Sequence, residues 1–185
     1  MKLPKLLHAT RWLSLFEIDG WVYASRRPPG QGPRIDAVNV IALHEEGERR
    51  RLVVIEEWRV PVQSWEFALP AGLVDPGEEP IVSAERELVE ETGFSVTWRG
   101  VSSGRLFSSA GMSDESFAFA YLGCTGKPAD KPGIGSEQIK VHLLDRAGCR
   151  ELLERNRQGA TLSGRLWTVL YSIAETGAIG PYSIV

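Results

Sequence analysis

Short apolar-rich runs separated by turn and loop residues fill the first half of the chain and predict strands. Residues 12–25 (WLSLFEIDGWVYAS) divide into two strands meeting at Asp19-Gly20, a dipeptide suited to a hairpin turn. The prolines and glycines of 26–32 (RRPPGQG) forbid a regular element and mark a loop. Beyond it, 36–43 (DAVNVIAL) and 51–58 (RLVVIEEW) read as strands joined by the charged turn HEEGERR. Phe67-Ala68-Leu69 closes a further strand, and Pro70-Ala71-Gly72 is expected to begin a loop.

At Pro80 the period lengthens to that of a helix running to Thr92. Pro80 suits the first helical turn, where its missing N–H costs nothing, and Gly93 suits the position just past the end. Ile81, Ala84, Leu88 and Thr92 form the stripe expected to be buried. Strands follow over 95–103, 116–124 and 138–144, then helices over 146–157 and 162–175, with Gly164 weakening the start of the second. The pattern predicts an α/β protein, an α/β/α sandwich on a mixed sheet, carrying an N-terminal β-hairpin extension over 1–34 ahead of a domain over 35–185.

Composition narrows the function classes. The chain has 185 residues, 43% hydrophobic and 24% charged, the balance of a globular domain with a substantial core. A net charge of −3 leaves no global field for a polyanion, so no nucleic-acid partner is expected. A small phosphate ligand needs only a local site. Cys124 and Cys149 show no C-x-x-C spacing and read as reduced packing residues, which suits a cytoplasmic location. The N-terminal apolar run is only Leu6-Leu7, too short for a signal-peptide core, and no segment approaches the roughly 20 apolar residues that span a bilayer, so no membrane partner is expected.

The candidate chemistry lies between Gly72 and Phe94. Glu87, Glu90 and Glu91 stand at i, i+3 and i+4, which puts their carboxylates on one helix face. Like charges at that spacing repel by a few tenths of a kcal/mol per pair, roughly, and a hard cation such as Mg²⁺ or Mn²⁺ would offset the repulsion. Such glutamates would equally suit a solvated acidic face, so the flanks decide. Asp75-Pro76-Gly77 forms a tight turn that returns Glu78 toward the helix, and Gly72 lets the backbone come close to the same place.

Gly72, five residues, Glu78, seven residues, then Arg86-Glu87-Leu88-x-Glu90-Glu91-x-Gly93-Phe94 resembles the Nudix box in both residue type and spacing. The resemblance implies a Nudix-type fold and a Nudix hydrolase. It implies Mg²⁺ (Mn²⁺ as second choice) held by Glu87, Glu90 and Glu91 with the backbone carbonyl of Ala71. Arg86 would orient a glutamate through an ion pair, and Glu78 would support the site from outside.

The flanking segments bear on the substrate. Trp58-Arg59-Val60-Pro61 and Leu69-Pro70-Ala71-Gly72 resemble runs in ADP-ribose and nucleotide-sugar pyrophosphatases. Residues 108–115 (SSAGMSDE) resemble a loop of the same branch, with Ala110 where ADP-ribose enzymes usually carry proline, which widens the class to other nucleoside diphosphate sugars. Trp12 and Trp21 lie where related dimers place aromatics that sandwich a nucleobase, one from each subunit, so the 1–34 extension is expected to dimerise. Arg26 and Arg59 are candidate phosphate ligands. Glu66 is two residues out of register with an acidic position of the relatives and is not carried over. In this branch the water-positioning carboxylate comes from a glycine-bounded loop before the last strand, which nominates Glu137, with Glu115 second. The products would be a nucleoside monophosphate and a sugar phosphate. Two other readings compete. A hydrolase of modified nucleoside triphosphates fits less well with the N-terminal hairpin. A non-enzymatic sensor of ADP-ribose-type ligands fits less well with an intact box.

Overall fold

A computed structural model describes residues 2–28, 31–32, 34–130, 132–133 and 138–184. The N-terminal strands are β1 (Lys5–Ala9), β2 (Ser14–Ile18) and β3 (Trp21–Ser25). They are followed by β4 (Ala37–Glu46), β5 (Arg49–Arg59), a 3-10 turn (Val60–Val62), β6 (Ser64–Ala68) and β7 (Ala71–Leu73). Helix α1 (Pro80–Thr92) precedes β8 (Ser95–Ser102), β9 (Leu106–Phe107), β10 (Ser116–Thr125) and β11 (Ile139–Leu144). Then come α2 (Arg146–Arg157), β12 (Thr161–Leu162), α3 (Gly164–Thr176), and the short strands β13 (Ala178–Ile179) and β14 (Tyr182–Ser183).

The main sheet runs β12-β6-β5-β4-β10-β8, with β11 on β5, β7 on β4 and β9 on β10. It is mixed: β4 and β10 pair in parallel, Phe117 opposite Ala37 through Cys124 opposite His44, whereas β4 and β5 form an antiparallel hairpin. Strand β4 is apolar on both faces, as a strand covered on both sides must be. Its Val38, Val40 and Ala42 join Ala84, Leu88 and Phe94 in one core beneath α1. Its Ile41 and Leu43 join Leu152, Leu166, Leu170 and Ile173 in a second core beneath α2 and α3. The period of two in one strand therefore builds both layers of the α/β/α sandwich. The helical stripe is buried at Ala84, Leu88 and Thr92 and half-buried at Ile81.

Four local features depart from the sequence reading. The N-terminal extension is a three-stranded sheet, because β1 adds to the β2–β3 hairpin. All five residues of β1 are exposed, so no buried face imposes an alternation that sequence could reveal. Ala71–Leu73 is a strand, not a loop: the carbonyl of Pro70 accepts from Val40 N at 2.7 Å, and the chain then pairs with β4 through Asn39 and Ala37. Helix α3 begins at Gly164, not at Leu162. Thr161 and Leu162 pair with β6 in parallel, and Ser163 caps the helix by accepting from Leu166 N, so Gly164 occupies a terminal position where its entropic cost is small. A C-terminal hairpin, β13–β14, follows, and Ile184 after it is buried in the second core.

No helix among the described residues is long and apolar enough to cross a membrane. Both cysteines are free and buried, and burial pushes each thiol up to about 12. A raised value favours the neutral, unreactive thiol at pH 8. A disulfide reagent such as DTNB is expected to leave native protein essentially unlabelled at pH 8 and to label both cysteines after unfolding. Rapid labelling of the native protein would contradict the burial.

Candidate active site

The acidic helix is delivered by a tight turn. Glu78 N donates to Asp75 O at 3.0 Å, Pro76 occupies the second position and Gly77 the third, with φ of 84°. This is the geometry of a type II turn, in which the third residue needs a positive φ that glycine adopts without strain. Pro80 stands in the first turn of α1, and Gly93, at φ 78°, ends the helix by donating to Val89 O. The turn carries Glu78 back over the helix, where its carboxylate accepts from Ser83 Oγ at 2.5 Å and Arg86 at 3.4 Å. The Ser83 hydrogen bond holds the Glu78 carboxyl below its ordinary range, with Arg86 acting in the same direction against partial burial.

Arg86 is the hub of the cluster. One terminal nitrogen donates to Glu87 at 2.7 Å and to Glu90 at 3.3 Å, and the other to the carbonyl of Leu73 at 3.0 Å. Burial pulls the guanidinium down, but the bonds to Glu87 and Glu78 outweigh it and raise its proton affinity above the ordinary arginine value. Glu91 is 8% exposed, and its carboxylate accepts from the backbone N–H of Ala71 at 3.0 Å. Gly72 matters for space, not for backbone freedom: a Cβ there would stand 1.8 Å from Cδ of Glu87. The Glu87 carboxylate thus lies in the room left by the missing side chain.

By chemistry, the donor set of Glu87, Glu90 and Glu91 fits a hard divalent cation. The seat left by Gly72 and the partial burial of these acids fit it too. In the present side-chain arrangement Arg86 engages Glu87 and Glu90, and among the described residues no three acidic, histidine or cysteine side chains surround a common point. Binding an ion here therefore requires these carboxylates to turn partly from Arg86.

The other nominated residues lie in two places. Arg26 donates to Glu115 at 3.0 Å, and Ser108 Oγ donates to the other oxygen of Glu115 at 3.3 Å. Trp12, exposed in the β1–β2 connection with Arg11 over its ring at 4.5 Å, shares a cleft of about 310 Å³ with Arg26. Trp21 starts β3 opposite Ile18, at the far end of the hairpin from Ser25, and its indole N–H donates to Gly111 O at 3.2 Å. One chain does not bring the two tryptophans together. Arg59 is held by Glu57 at 2.5 Å and Glu66 at 3.3 Å. Glu137 lies outside the described residues. Nearby, Gly133 N donates to Glu90 O at 2.9 Å, which ties the start of that loop to α1.

The tertiary structure also assembles a chamber of about 580 Å³, lined among others by Asn39, Arg59, Glu66, Ser108, Phe117 and Arg165. It adjoins the acidic helix, because Asn39 pairs with Ala71, whose N–H holds Glu91. Sequence reasoning missed Asn39 and Arg165, which lie in an ordinary strand and at a helix start without a motif. Glu66 did leave a signal: a displacement of two residues along a strand keeps the side chain on the same face.

Comparison with known proteins places this geometry. The NUDIX domain profile matches residues 33–160, well over half of the chain, and the protein belongs to the NUDIX family. Caenorhabditis elegans nudix hydrolase 2 is 30% identical over 138 residues, covering 74% of this chain and 59% of that protein. The ADP-ribose pyrophosphatase of Bacillus subtilis is 39% identical over 59 residues, 32% of this chain and 30% of the relative. The chain therefore spans under two thirds of the length of either relative. A crystal structure of an ADP compounds hydrolase superposes with a TM-score of 0.60 at 22% identity, covering 96% of this chain and 95% of that one, which shows a shared fold. Members of the family generally use divalent metal ions and act on small nucleotide substrates.

The Gly72 seat yields a sharp expectation. In Gly72→Ala the added methyl displaces the flexible end of Glu87, so the fold should survive while divalent-ion binding weakens by roughly tenfold or more. Calorimetric titration with Mn²⁺, beside a thermal melt, checks this, and unchanged Mn²⁺ affinity would refute the assigned role of the seat.

Proposed function

We propose that the protein is a Mg²⁺-dependent hydrolase that cleaves the diphosphate of ADP-ribose or another nucleoside diphosphate sugar. The observation that carries this reading is the acidic face of α1 docked on Ala71 and Gly72 beside a chamber of about 580 Å³. That volume suits a ligand of nucleotide size. Relatives named ADP-ribose pyrophosphatase and ADP compounds hydrolase support the substrate class.

Glu87, Glu90, Glu91 and the Ala71 carbonyl would hold Mg²⁺, which when bound neutralises diphosphate charge and acidifies water. The chain's own residues do the rest. Arg86 gathers Glu87 and Glu90 on one side of the helix, from which they turn partly away to take the ion. The Ala71 N–H fixes the rotamer of Glu91. Arg26 and Arg59 would bind phosphate oxygens, and each must first loosen from a carboxylate partner. Glu137, or Glu115 in its place, would take the proton from the attacking water. The water oxygen bonds to phosphorus as the anhydride bond breaks, giving a nucleoside monophosphate and a sugar phosphate.

We further propose that residues 1–34 form a dimerisation unit that brings Trp12 of one subunit and Trp21 of the other to a base. Leu6, Leu13, Leu15 and Val22 of the N-terminal sheet are exposed, which suits a self-interface. The buried free thiols suit a reducing compartment, and we place the protein in the cytoplasm.

A panel of ADP-ribose, GDP- and UDP-sugars, dinucleotides and nucleoside triphosphates with Mg²⁺ tests the substrate class. Turnover of the sugars to monophosphate products is expected. Pyrophosphate release from triphosphates alone would favour the rival hydrolase, and ligand binding without turnover would favour a sensor. Glu91→Gln is expected to reduce turnover by on the order of a hundredfold or more with the fold intact. Sedimentation should show a dimer, whereas a monomer at enzyme-assay concentrations would remove the shared base site.

A further inference from the structure

Of the cations that line the chamber, Arg165 stands apart. Arg59 is neutralised by Glu57 and Glu66. Arg165 is half-buried and makes no ion pair with a carboxylate among the described residues; its guanidinium donates to Ser108 Oγ and lies 4.2 Å from the ring centre of Phe117. Burial is the largest influence on it and lowers its proton affinity. Arg59 acts in the same direction, and Glu115 and Glu66 act against it. A partly desolvated guanidinium with no ion pair among the described residues carries an uncompensated cost, and an anionic ligand offsets it.

The surroundings fit the same ligand class. Arg165 lies in the first turn of α3, a 13-residue helix whose positive end faces the chamber at Ser163 and Gly164. Asn39, on the chamber wall, is one strand spacing (~4.8 Å) from Ala71, whose N–H in turn holds the Glu91 carboxylate. A diphosphate with one phosphorus at the acidic helix can therefore present the oxygens of the other to this wall.

We infer that Arg165 is a substrate-binding residue that holds phosphoryl oxygens on the chamber side of the diphosphate. The assignment rests on the diphosphatase reading above. It gives Arg165 a contact in substrate and in product alike, so it acts on affinity more than on the chemical step. Through Ser108 it is also linked to Glu115 and hence to Arg26 of the N-terminal segment.

Arg165→Gln and Arg165→Lys should be compared with wild type and with Arg157→Gln, which removes an exposed charge on α2. Binding of inorganic pyrophosphate by calorimetry, without metal, provides a readout independent of turnover. Arg165→Gln should weaken pyrophosphate binding about ten- to hundredfold and raise KM by a similar factor with kcat nearly kept. Arg165→Lys should recover part of the loss, since it keeps the charge but not the planar fork. Unchanged pyrophosphate affinity in Arg165→Gln, an equal loss in Arg157→Gln, or no binding by wild type would overturn the inference. If Arg165→Gln does not fold, the lysine variant decides: full wild-type affinity there refutes a fork-type contact. Failure of every substrate in the panel, with Arg165-dependent pyrophosphate binding intact, would sink the diphosphatase reading and leave this site standing.

Discussion

Packing a helix face that carries Glu87, Glu90 and Glu91 against a backbone strand is unfavourable, because the acids repel and Glu91 loses water. Arg86 and the Ala71 N–H reverse that balance. Arg86 spreads its donors over Glu78, Glu87, Glu90 and the Leu73 carbonyl, so a single cation ties together the turn, the helix and β7. Gly72 supplies the space that lets Glu87 lie against the strand. The placement of β7 serves the same end. Its pairing with β4 after Pro70 sets a backbone N–H and an unobstructed Cα at the level of the helix face.

The same constraint locates the chamber. Strand β4 holds α1 on one face and α2 and α3 on the other, so the end of β4 that pairs with β7 lies between the acidic helix and the start of α3. Asn39 occupies this border. Ser108, at the start of the loop over 108–115, lines the chamber, and Ser108, Gly111 and Glu115 bond to Arg165, Trp21 and Arg26 respectively. The N-terminal sheet is further anchored by Arg27, which pairs with buried Asp36 at 3.4 Å and with Asp114 at 3.3 Å. Asp36 also accepts from the backbone N–H and the hydroxyl of Ser116. The extension is thus joined to the start of both central parallel strands, not merely appended to them.

Helix α1, its proline start and glycine end, and the existence of strand β4 were readable in the residues, because each is a local rule: a run, a period, a cap or a turn. The box spacing was readable for the same reason, since helix geometry alone puts the three glutamates on one face. Strand β1 and strand β7 were not, the first because it buries no face and the second because its pairing depends on β4, more than thirty residues earlier. Arg165 was illegible for a deeper reason. Its meaning lies in its placement on the chamber wall without an ion pair among the described residues, and that is a property of which distant segments fold around it. The chemistry of the acidic helix was therefore written in residue types at fixed spacing, whereas the chamber beside it arose when β4, β6, β10 and α3, far apart in the chain, closed around a common space.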